Sequence, residues 1–168
     1  MKRVLIAGIG NIFMGDDGFG CEVARRLASC DLPGDVELID FGIRGIDLGY
    51  ALQDGYEVVI LIDAMQRGNA PGTVSLIDPD PAVAGPDGDT DAEAFSVHGM
   101  DPATVLRYVV TLGDRRPRLM LVACEPETLG GLEGFIGLSE TVSAALVSAV
   151  RMVEELIAEL CVPQQEVA

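Results

Sequence analysis

The chain has 168 residues, 49% of them apolar, and a formal net charge of −16 from 27 acidic and 11 basic side chains. That length fits one domain of about 100–200 residues with a core of its own, and the apolar share excludes disorder for the bulk of the chain. The acidic field repels phosphate backbones and anionic lipid, which argues against nucleic-acid and membrane-surface partners. The excess serves solubility, the steering of a basic partner or the holding of cations.

Aromatic residues are few (Phe 5, Tyr 3, Trp 0), so the core is built from Val, Leu, Ile and Ala. No run of about 20 apolar residues occurs, so no membrane insertion is expected. The apolar stretch near the amino terminus is too short for a signal core of about 7–15 residues, and a cytoplasmic protein is expected. Cys21, Cys30, Cys124 and Cys161 have no CxxC spacing. They read as reduced thiols rather than a zinc site.

Val4 to Ala7 is a short apolar run bounded by glycine, as in a buried parallel strand. A helix is expected from Asp17 to Ser29, with Phe19, Val23, Ala24 and Leu27 at helical spacing and acids in its first turn. After the turn Leu32–Asp35, Val36 to Asp40 is a second strand and Ile46 to Gln53 a short helix. Val58 to Ile62 has no polar face, so this strand is central, with Asp63 at its end. The link 66–71 is too short for a crossover helix, so Thr73 to Ile77 runs antiparallel to its predecessor. Pro79 to Glu93 is rich in proline, glycine and aspartate, and a mobile acidic loop is expected over about 79–95. Asp101-Pro102 starts a helix that runs to Leu112, with Val105 and Val109 inward. Arg118 to Ala123 is the last strand. Ser139 caps a final helix to about Leu160 whose buried face is Val142, Leu146, Ala149, Val153, Leu156 and Leu160. The order β-α-β-α-β-β-α-β-α describes one α/β domain with helices on both faces of the sheet.

Three places set polar chemistry beside this scaffold. The segment Gly8-Ile9-Gly10-Asn11-Ile12-Phe13-Met14-Gly15-Asp16-Asp17-Gly18-Phe19-Gly20 follows the first strand. It resembles a dinucleotide fingerprint, with Asp40 in the position of the ribose acid. Phe13 occupies the place of the third glycine, and Asp16 and Asp17 put like charges where a pyrophosphate would lie. No organic cofactor is therefore expected. Asp63, at the carboxyl end of the central strand, is costly to bury without a partner, and its structural alternative is a cap for the turn at 66–69. His98 is the only histidine and stands just before a helix. Ligands in open α/β sheets sit outside the carboxyl ends of the strands. Asp17, Asp63 and His98 can meet there as a mixed oxygen and nitrogen site suited to nickel, zinc or manganese. No G-x-S-x-G elbow or HExxH motif is present.

Gly8-x-Gly10-Asn11, Asp16-Asp17-Gly18-x-Gly20, Asp40-Phe41-Gly42 with Gly45, Ile62-Asp63-Ala64, Ala70-Pro71-Gly72-Thr73, Ser96-x-His98 and Ile136-Gly137-Leu138-Ser139 resemble the hydrogenase maturation endopeptidases. The likeness runs in order from residue 3 to about 160. It implies a three-layer α/β/α fold whose mixed five-stranded sheet has the order 2-1-3-5-4, strand 4 antiparallel. It implies metal binding by Asp17, Asp63 and His98, with Asp40 as a second catalytic or recognition acid. It also implies the substrate, a hydrogenase large-subunit precursor that presents nickel and loses its carboxyl-terminal extension to a monomeric protease. Many members carry threonine after the Asp-x-Gly of strand two, where this chain has Ile43, so no hydroxyl acts at that position. The competing classes are a nickel-binding maturation chaperone without proteolysis and a nucleotide-binding α/β regulator.

Overall fold

The computed structural model describes residues 2–79, 116–131 and 133–161, together with Val105, Val109 and Gly113. Its strands are β1 (Val4–Ile9), β2 (Val36–Gly42), β3 (Val58–Ala64), β4 (Val74–Ile77) and β5 (Arg118–Cys124). Its helices are α1 (Phe19–Leu27), α2 (Gly45–Ala51) and α3 (Glu140–Cys161). The sheet order is β2-β1-β3-β5-β4. β1 pairs in parallel with β2 and β3, β3 with β5, and β4 lies antiparallel on β5. The expected order and direction both hold. β4 returns beyond β5 rather than beside β3, so the short link at 66–71 leads to the sheet edge.

β3 is central, as its unbroken apolar run requires, and Val58 to Asp63 are all buried. Alternation along the strands divides the core in two. On one face Val4, Ile6, Ile60, Ile62 and Val122 pack against Phe19, Val23 and Leu27 of α1 and Val142, Leu146, Ala149 and Val153 of α3. On the other, Leu5, Ala7, Val59, Leu61 and Leu121 meet Leu48 and Ala51 of α2, with Val105 and Val109. Both of these last residues are helical and buried. The rest of the helix expected at Asp101–Leu112, the acidic segment 80–95 and His98 lie outside the described residues. No helix among the described residues is long and apolar enough to cross a membrane.

The helix expected from Asp17 begins later. Gly15–Gly18 forms a single 3-10 turn, and the α-helix starts at Phe19. The reason lies in Gly8 and Gly20. A side chain on Gly20 would start 2.1 Å from the Ile62 carbonyl oxygen and 2.2 Å from that of Ile9; one on Gly8 would meet the Gly20 carbonyl oxygen at 2.6 Å. The helix therefore rests its first turn directly on the carboxyl ends of β1 and β3, a closeness only glycine permits. Phe13 does not hold helix and strand apart as the sequence suggests. The loop from Gly10 to Gly18 turns it out to solvent.

At α3, the Ser139 hydroxyl oxygen accepts from the Val142 N–H at 3.2 Å and the Ser139 carbonyl from the Ser143 N–H at 2.8 Å. This is the expected amino-terminal cap. Leu160 at the far end is only partly buried.

Two glycines make the packing argument measurable. Gly20→Ala should lose about 3 kcal/mol or more of unfolding free energy, because backbone atoms must move. Gly49→Ala, within α2 and with nothing in a side chain's way, should gain about 0.5–1 kcal/mol. Denaturant unfolding checks both; a Gly20→Ala chain as stable as the parent would refute the close helix–sheet contact.

Candidate functional site

The strand register brings the acids to one edge. Gly8 pairs with Asp40 on one side and Ile62 on the other, so Asp40 of β2 and Asp63 of β3 lie on either side of β1, within one residue of each other in register. Just beyond, β1 shifts register so that Ile9 pairs with Gly42, and the Gly10 N–H donates to the Gly42 carbonyl at 3.1 Å. Gly10 has φ 135°, and a side chain there would begin 1.8 Å from the Asp17 carbonyl oxygen. The chain after β1 thus folds back on itself and sets Asp17 over the sheet edge.

Each acid is held by a backbone donor. The Asn11 N–H donates to Asp17 Oδ2 at 2.8 Å, the Ala64 N–H to Asp63 Oδ1 at 2.8 Å and the Gly42 N–H to Asp40 Oδ1 at 3.0 Å. Asp17 and Asp63 are buried, whereas Asp40 is exposed. Asp40 is hydrogen-bonded to Cys21, and Asp17 and Asp63 act on the same thiol through their charges; the sequence alone reads Cys21 only as a reduced thiol. Its thiol is pushed from 9.0 up to about 12, first by burial, then by its hydrogen bond to Asp40 and by the charges of Asp40, Asp63 and Asp17. It also donates to the Gly10 carbonyl at 3.4 Å. Cys21 follows Asp17 by four residues, a helical spacing that was the available signal.

So the structure brings Asp17, Asp40 and Asp63 together, and His98 lies outside the described residues. Among the described residues, no group of three His, Cys, Asp or Glu side chains is placed to hold a metal ion by itself. Two carboxylates at a strand edge are oxygen donors that fit a borderline divalent ion such as nickel as part of a ligand set.

Two further acids are structural. Asp16 is wholly buried, accepting at Oδ2 from the Glu127 and Thr128 N–H groups at 2.9 Å each and from the Ser139 hydroxyl at 3.0 Å. Its Oδ1 accepts from the Ser139 N–H at 2.6 Å. These bonds span more than a hundred residues of sequence, which is why no local pattern announces them. Glu125 accepts from the N–H groups of Arg67, Gly68 and Asn69. The turn at 66–69 is therefore capped by Glu125, the role considered above for Asp63.

The loop that Asp16 ties down lies against the loop after β1. The Gly15 N–H donates to the Phe135 carbonyl at 2.6 Å and the Phe135 N–H to that of Phe13 at 3.0 Å. Ile12, Phe13, Phe135 and Ile136 project into solvent along this seam. A cleft of about 470 Å3 opens beside it, reaching Asp40 and Cys21.

The thiol predicts an alkaline signature. At pH 8, iodoacetamide should spare Cys21 and the equally buried Cys124, whose thiol also stands near 12, until the chain is unfolded. The folded chain keeps protons that the unfolded chain releases above about pH 9. Stability should therefore be level below about pH 9 and fall as pH rises towards 12, with Tyr56, pushed from 10.0 to about 12 by burial and Glu37, adding to the fall. A stability that rises over that interval would contradict the assignment.

A family model described as hydrogenase maturation protease matches residues 21–156. The chain is 30% identical to the hydrogenase 2 maturation protease of Escherichia coli over 152 residues, covering 90% of this chain and 88% of that one. Its fold matches the hydrogenase-maturating endopeptidase HybD of E. coli with a TM-score of 0.74 at 27% identity, covering 95% of this chain and 94% of that chain. It also matches a hydrogenase 2 maturation peptidase from a thaumarchaeon with a TM-score of 0.66 at 35% identity, covering 94% and 99%. A mixed sheet of this order, an acid-bearing turn at the carboxyl edge of its parallel strands and these likenesses converge on one conclusion: the chain belongs to the hydrogenase maturation protease family and is a peptidase.

Proposed function

We propose that this chain removes the carboxyl-terminal extension of a hydrogenase large-subunit precursor that presents nickel, acting as a monomer in the cytoplasm. The observation that carries the reading is the gathering of Asp17, Asp40 and Asp63 around one buried thiol at the carboxyl edge of three adjacent parallel strands. Four free cysteines support a reducing compartment.

Nickel belongs to the substrate in this scheme and supplies a cationic anchor and Lewis acidity beside the scissile bond. Asp17 and Asp63, with His98, are the groups that engage it. Their backbone donors, Asn11 and Ala64, fix both carboxylates before the precursor arrives, so little ordering is left for the bound state. Asp40, exposed and held by the Gly42 N–H and the Cys21 thiol, is positioned to orient the peptide or take a proton from the attacking water. The thiol of Cys21 stays protonated among three carboxylates, which makes it a donor rather than a nucleophile.

The nucleotide-binding alternative meets a specific obstacle. The Asn11 N–H that a glycine loop would offer to phosphate is taken by the Asp17 carboxylate. A maturation chaperone would bind precursor and leave its extension uncut.

Neighbouring acids on one turn should behave oppositely. Asp17→Asn, Asp63→Asn and His98→Ala should each reduce precursor cleavage by at least about 100-fold, and the two aspartate variants should unfold within about 1 kcal/mol of the parent. Asp16→Asn should cost about 2–4 kcal/mol, because an amide cannot accept from every donor that Asp16 satisfies. A mass-spectrometric cleavage assay with parallel denaturant unfolding checks this. Retained cleavage together with lost stability at Asp17 or Asp63 would overturn their assignment.

A further inference from the structure

The cleft beside the acid cluster has a definite chemistry. Its apolar lining is Ile12, Ile136, Leu138 and Leu146, and Asp40, Cys21, Glu22 and Arg25 line it as well. Ile12 is 52% and Ile136 77% exposed, an unusual cost for two isoleucines on facing loops. Neither contributes to either core cluster.

The wall is built to keep its shape. Asp16 clamps the backbone at Glu127, Thr128 and Ser139, on both sides of the segment that bears Ile136 and Leu138. Gly130 and Gly134, both at φ 69°, let that segment lie close against Met14 and Phe13, where a side chain would begin about 3 Å from their backbone. A loop fixed this firmly while displaying isoleucine to water is suited to receive something apolar.

Size narrows the occupant. A volume of about 470 Å3 lies in the range of about 300–1,000 Å3 for sites that enclose small ligands. One turn of helix with its side chains, about 10–12 Å across and 5.4 Å long, would already fill it. A short extended stretch of chain fits better. The cleft is continuous with the acid cluster through Asp40 and Cys21, so whatever lies in it lies next to whatever is held at the acids.

We propose that this cleft is the subsite for an extended, apolar stretch of the precursor chain adjoining the scissile bond, gripped between Ile12 and Ile136. The proposal rests on the function given above. Contacts of this kind hold the bound substrate and the transition state equally, so they act on KM and leave kcat alone.

The test uses the full chain and purified nickel-loaded precursor. Ile136→Asp and Ile12→Asp, both at exposed positions, should each raise KM at least 10-fold with kcat within about 2-fold and thermal unfolding unchanged, as expected for losing one apolar side-chain contact. Ile136→Val should restore KM to within about 3-fold of the parent. A normal KM in both aspartate variants, or a loss confined to kcat, would overturn the subsite. So would a parent chain that sediments as a dimer and becomes monomeric with Ile136→Asp, because the cleft would then hold a second copy. A parent chain that binds precursor without cutting it would instead overturn the peptidase function, and this proposal with it.

Discussion

The 3-10 turn Gly15–Gly18 carries two buried carboxylates side by side, and the carboxyl edge of the sheet depends on their facing different partners. Asp16 is satisfied by three backbone N–H groups and one hydroxyl from the β5–α3 connection, which sits more than a hundred residues away in the chain. A buried carboxylate would be expensive without such donors. With them, it becomes the joint between the first loop and the last. Asp17, one residue on, is oriented by Asn11 and lies near the thiol and the other two acids. The structural acid holds the frame in which the functional one is presented.

The frame itself follows from glycine. Gly8 and Gly20 let α1 rest on the strand ends, and Gly10 lets the backbone fold back over them. Without that closeness the turn bearing Asp17 would stand a side chain's breadth further from Asp63 and Asp40. Apolar packing on both sheet faces then fixes the strands whose ends supply those acids.

Much of this is legible in the sequence. The unbroken apolar run Val58–Ile62 marked the central strand, the short 66–71 link marked a reversal of direction, and Ser139 with its apolar stripe marked the last helix. The sheet order came from the family likeness, because periodicity assigns elements and not their neighbours. What stayed hidden was long-range: Asp16 and Glu125 are bound by backbone donors that no side-chain pattern records. Cys21 carries no signal of its own, because a lone cysteine among apolar residues usually packs as a small hydrophobe. Phe13 does not stand where the fingerprint's third glycine would, because the loop after β1 is longer than that of a dinucleotide fingerprint and the glycine that meets the strand is Gly20.

Chemically, the edge joins an acidic cluster to apolar lips on a chain of net charge −16. Such a field draws in a cationic centre and repels anions over roughly a Debye length, about 8–10 Å at ordinary ionic strength. The apolar seam of Ile12, Phe13, Phe135 and Ile136 is exposed next to it. The account therefore requires that a precursor be read in two ways, by charge at the metal and by apolar contact along the chain. The most direct measurement is cleavage of purified large-subunit precursor, nickel-loaded against nickel-free, followed by mass spectrometry of the released extension. The account predicts release from the loaded precursor and none from the nickel-free one; equal cleavage of both would contradict it.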